Sequence, residues 1–83
     1  MNIAMILRFL RTSTHAQLTQ YAADVVTDAD DAAERGETER VEFFSTVAEA
    51  AVEMGCEGDW HTARVNTRTA LRRARAVRRN PAA

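Results

Sequence analysis

The sequence predicts an all-α fold: a short antiparallel, up-down bundle of four helices, the first of them short. Three observations carry that reading. The chain is rich in Ala, Arg and Glu, which are among the strongest helix formers. Its one proline, Pro81, and its three glycines, Gly36, Gly55 and Gly58, leave long segments unbroken, and the glycines fall where periodic apolar patterns stop. No segment alternates apolar and polar residues over a useful length, so no strand competes.

The first helix, about residues 2–11 from Asn2 to Arg11, carries Ile3, Ile6, Leu7 and Leu10 on one stripe, while Met5 and Phe9 make another side apolar. The second, about 14–35, opens at Thr14, whose hydroxyl can cap it while Gln17 reaches back in a capping box. Its apolar positions Leu18, Ala22, Val25, Ala29 and Ala32 alternate spacings of four and three, and Gly36 supplies the left-handed stop. The third, about 38–54, has an acidic first turn suited to the helix dipole and ends at Gly55. Val41, Phe44, Ala48, Ala51 and Val52 form one face of it, and Phe43, Val47, Ala50 and Met54 widen the apolar arc. Such an arc calls for two neighbours, or for one neighbour and a subunit interface.

The fourth helix, about 59–79, begins at Asp59 as N-cap and stops at Asn80-Pro81. Its stripe of Trp60, Ala63, Thr67, Ala70, Leu71, Ala74 and Val77 is mostly small, with Trp60 as the bulky anchor. Connections of a few residues make sequential helices antiparallel neighbours in a single domain, 1–83. The later junctions Gly36-Glu37 and Gly58-Asp59 look alike.

Gly58-Asp59-Trp60, then Ala63, then Ala70-Leu71 resembles the start of the second helix of a tetratricopeptide hairpin, with Ala51 and Met54 near that family's small and aromatic positions. Thr67 and Arg75 depart from the pattern, which spans only about 25 residues, and the resemblance implies a helical hairpin alone. Thr46 to Cys56 resembles the first helix and turn of bacterial helix-turn-helix repressors, with Leu71-Arg72-Arg73-Ala74-Arg75 further on. His61 and Arg64 then stand where that family places apolar residues, so the spacing of a recognition helix is lost.

Of 83 residues, 16 are alanine, and Leu, Ile, Val and Phe together number only 16. A chain of this size buries roughly 60% of the surface it exposes when unfolded, enough for one core and no deep substrate cleft. A thin core without disulfide or metal is commonly completed by oligomerisation, so a homo-oligomer is expected. The absence of a long apolar run excludes a transmembrane helix. The lone Cys56 and the lack of a secretory pattern lead us to expect a cytoplasmic protein.

Charge is sharply divided. All twelve acids lie between Asp24 and Asp59, opposed there only by Arg35 and Arg40, whereas Arg64 to Arg79 holds seven arginines and no acid. Arg64, Arg68, Arg72, Arg75 and Arg79 fall within about 80° on one flank of the fourth helix, a guanidinium ladder from which Arg73 and Arg78 point away. Like charges at those spacings cost about 0.2 to 0.5 kcal/mol per pair, a tolerable load that compels no polyanionic ligand. Asp24, Asp28 and Asp31, or Glu42, Glu49 and Glu53, offer counter-charge within the bundle or across a dimer. A nucleic-acid-binding module using the arginines is the alternative, without the interleaved aromatics of single-strand binders. A further alternative is an acidic surface of Asp24, Asp28, Asp31 and Glu34 that imitates a phosphate array. An alanine-rich apolar side offers a membrane little to bind.

Cys56 and His61 provide two soft ligands without the others that a closed zinc site needs, and no metal or cofactor is expected. Cys56, Asp59 and His61 lie at one junction with no glycine-rich oxyanion site around them, so no catalytic residue is assigned. The expected function is that of a small non-enzymatic helical interaction protein, acting as a homodimer or on a protein partner through Phe9, Phe43, Val47, Ala50 and Met54.

Overall fold

The computed structural model describes residues 3–79; Asn2 and the Asn80-Pro81 stop lie outside the described residues. Four helices follow in order: α1 (Ile3–Thr12), α2 (His15–Glu34), α3 (Thr38–Glu53) and α4 (Asp59–Arg79). They pack as an all-α bundle in which α2, α3 and α4 are long and α1 is short.

The ends are set as local chemistry demands. Thr14 Oγ1 accepts from the Gln17 N–H while the Gln17 side chain accepts from the Thr14 N–H, so the capping box is complete. At the far end of α2 the Glu37 N–H reaches the Ala32 carbonyl and the Gly36 N–H reaches that of Ala33. That is a Schellman motif, and Gly36 turns it at φ +70°. The same motif ends α3, where Cys56 bonds back to Ala51 and Gly55 to Val52, with Gly55 at φ +95°. The junctions that share geometry are therefore those at Gly36 and Gly55. Gly58 instead opens α4, its carbonyl accepting from His61 and Thr62. Asp59 is not the N-cap expected of it but the first helical residue, where its carboxylate faces the positive end of the dipole.

Directions follow from the pairs that meet. Glu49 bonds Arg68 and Glu42 pairs with Arg75, so one step of seven residues runs down α3 as the same step runs up α4; these two helices are antiparallel. Tyr21 meets Trp60, Asp30 meets Arg73, and Gly36 approaches Val77, so α2 and α4 advance together and are parallel. With α3 reversed between them in sequence, the three long helices form an up-down-up unit.

Two core clusters fill it. One is built almost wholly of small residues, Ala29, Ala32 and Ala33 of α2 with Ala70 and Ala74 of α4, joined by Val41 of α3. Side chains this short let helix axes approach closely. The other is bulkier: Ile6 and Leu10 of α1, Ala22 and Val25, then Val47, Ala48 and Ala51, around Trp60 and Ala63. Phe43, Phe44, Leu18, Tyr21 and Met54 pack against it, half-buried. Thr67 is fully buried among these helices, its hydroxyl satisfied by the Arg64 carbonyl at 3.1 Å.

The short helix accounts for the breadth of α3. Helix α1 packs on α3, and its Ile6 and Leu10 enter the cluster that holds Val47, with Phe43 and Met54 packed against it. Of the two arrangements expected for the wide arc of α3, two neighbours or one neighbour and a subunit interface, α1 thus supplies a further neighbour from within the chain, with Phe43, Ala50 and Met54 left half-buried. Val47 is 0% exposed and cannot serve as a contact residue for a partner.

Candidate functional site

No helix among the described residues is long and apolar enough to cross a membrane. Among the same residues no group of three or more His, Cys, Asp or Glu side chains is placed to hold a metal ion. An open groove lies where the α1–α2 turn meets the α3–α4 loop, lined by Leu10, His15, Leu18, Met54, Cys56 and Trp60 among others. Cys56 is half-buried there, as the residue that closes the Schellman motif, and His61 is exposed and does not line the groove. Among the described residues no hydrogen bond joins Cys56, Asp59 and His61, and nothing around them forms an activated nucleophile.

The arginines of α4 divide into two sets. Arg68 donates to the Glu49 carboxylate, Arg75 lies 3.6 Å from that of Glu42, and Arg73, on the other flank, lies 3.2 Å from Asp30 of α2. Both seams that α4 makes are therefore stitched by guanidinium–carboxylate pairs. The rungs to α3 have residue numbers that add to one total, and Glu53 with Arg64 and Glu39 with Arg78 fall on the same register. Arg64 Nε is buried there without a hydrogen-bond partner. The second set, Arg64, Arg72, Arg78 and Arg79, makes no ion pair among the described residues; Arg72 bonds only the Thr69 hydroxyl at 3.2 Å.

The acids of α2 are less evenly matched. Asp24 takes a hydrogen bond from Gln20, Asp31 pairs at 3.4 Å with Arg35 at the C-cap of its helix, and Asp28 and Glu34 make no ion pair among the described residues. Glu37 bridges Arg35 and Arg40 across the α2–α3 turn. Above this flank the Phe9 ring stands edge-on to Tyr21 at 5.5 Å, and Tyr21 stands edge-on to Trp60 at 5.8 Å, a chain of rings from surface to core. Burial raises the Tyr21 phenol above its ordinary pKa, and the carboxylates of Asp28 and Asp24 raise it further.

The residues expected to meet a partner are thus dispersed. Phe9 is 47% exposed, Phe43 is half-buried edge-on to Phe44, Ala50 and Met54 are half-buried, and Val47 is in the core. Sequence reasoning missed Val65, 56% exposed on the outward side of α4, and Asp30, the partner of Arg73. Both were findable: Val65 is the lone large apolar residue off the α4 stripe, and Asp30 lies on the flank of α2 opposite Asp24 and Asp28. The chain matches no protein-family model, no curated protein and no solved structure.

Proposed function

We propose that this is a small non-enzymatic helical interaction protein of the cytoplasm that works through protein–protein contacts, its own copies included. The observation that carries the reading is Phe9, an aromatic ring left 47% exposed on α1 in a chain that fills much of its core with alanine. An exposed aromatic at the end of a ring stack is the kind of anchor that interfaces use. Sedimentation velocity of the purified chain tests it: assembly that rises with concentration and is lost in Phe9→Asp supports the reading, and a strict monomer that captures no partner overturns it.

A nucleic-acid-binding reading rests on Arg64, Arg72, Arg78 and Arg79, which have no carboxylate partner among the described residues. Salt-dependent binding of a mixed DNA or RNA fragment, weakened in Arg72→Ala plus Arg79→Ala, would favour it.

A further inference from the structure

The molecule carries two outward faces of opposite charge, each beside an exposed apolar residue. On one, Phe9 of α1 leans on Tyr21, and Tyr21, Asp24, Asp28 and Asp31 follow at spacings of three, four and three along one flank of α2. On the other, Val65, Arg72 and Arg79 recur every seven residues on the side of α4 turned away from α2 and α3, with the side chains that stitch the seams on either flank. Among the described residues Asp24 and Asp28 make no ion pair with a cation, and Arg72 and Arg79 make none with a carboxylate. The spacings also agree: Tyr21 and Asp28 are seven residues apart, as are Val65 and Arg72, a rise of about 10.5 Å in each helix, so Val65 against Tyr21 brings Arg72 opposite Asp28.

We infer that the α1–α2 face docks the outer face of α4 on a second copy of this chain, with Phe9 and Tyr21 receiving Val65 and the aspartates receiving Arg72 and Arg79. This rests on the self-association reading and names its two surfaces. Asp30 marks the α4-facing flank of α2, and Asp24 and Asp28 lie on the opposite flank, so the two faces point in different directions. The contact is therefore heterologous: each copy that docks leaves one acidic and one basic face free, and assembly continues past the dimer. Asp24, Asp28, Arg72 and Arg79 are exposed, so charge reversal there leaves the core intact.

The test is sedimentation velocity on the full chain at low and high salt, with three samples besides wild type. Asp24→Arg plus Asp28→Arg and, separately, Arg72→Glu plus Arg79→Glu are each expected to weaken association by about tenfold or more at low salt. Mixed in equal amounts, the two variants regain assembly, because each reversed face then meets its reversed complement. Circular dichroism matching wild type shows that the fold is kept. Wild type that associates and loses this in Phe9→Asp, yet ignores both reversals, would overturn the face assignment and leave the self-association reading standing. A monomeric wild type would sink both, and arginine-dependent DNA binding by such a monomer would assign the α4 face to a polyanion.

Discussion

The Arg68 guanidinium donates to the Glu49 carboxylate across the seam between α3 and α4, nineteen residues apart in sequence. Seven residues further along α4 and seven back along α3, Arg75 and Glu42 repeat the arrangement. Both rungs are partly solvated, so each contributes less than about 1 kcal/mol and weakens in salt. Their value lies in register, because a slip along the seam would separate both pairs at once. Glu49→Arg is expected to lower the midpoint of urea unfolding, and adding Arg68→Glu to restore most of it. A double variant no more stable than the single one would show that the pair does not couple.

Val47 is the sharper probe of how α3 is shared. Buried between α1 and the rest of the core, it loses two methyl groups in Val47→Ala, a cost of about 2 kcal/mol in denaturant unfolding. Phe9→Ser, at a half-exposed ring, is expected to cost less than about 1 kcal/mol. Equal losses at the two sites would mean that α1 is not docked as described.

At Gly36 the backbone holds φ +70°, and a Cβ there would stand 3.1 Å from Val77 Cγ1. Gly36→Ala therefore meets both left-handed strain and a crowded neighbour, and is expected to destabilise by about 1 to 2 kcal/mol. Gly58 has φ +62° with open space around it, so Gly58→Asn, whose side chain tolerates that region, is expected to cost less than about 1 kcal/mol. Thermal unfolding of the two variants reads the difference.

Tyr21 is the single tyrosine, so tyrosinate absorbance reports it alone. Its folded pKa lies above the ordinary 10.0, which means that the folded chain keeps the proton when the unfolded chain has begun to release it. The resulting stability is fully present below pH 10 and is lost as pH rises through the folded pKa. Wild type is expected to lose stability above that pH more steeply than Tyr21→Phe. Parallel profiles would remove the link between burial of the ring and its titration.

Much of this was legible in the sequence because it is local. The capping box at Thr14 and Gln17, and the glycine stops after α2 and α3, depend on residues within one or two turns, and the buried stripe of α4 is a matter of period. What was not legible depends on neighbours distant along the chain. The width of the α3 arc announced a second contact, but nothing local distinguishes α1 from another molecule as its occupant. The ladder was visible as a flank, yet its division needed the seams: Arg68 and Arg75 turn to α3, Arg72 and Arg79 stay outside, and Arg73, on the opposite flank, reaches Asp30. Asp59 was misplaced by one residue because backbone carbonyls of the preceding turn, rather than its side chain, take up the first N–H groups of α4.

The seam of Ala29, Ala32, Ala33, Ala70 and Ala74 has a thermodynamic character of its own. A methyl side chain has no rotamers to freeze, so ordering this half of the interior surrenders backbone freedom alone, whereas leucines or methionines in its place would each forfeit about 0.5 to 2 kcal/mol of side-chain entropy. Little greasy surface leaves water there, and correspondingly little disorder is given up in exchange.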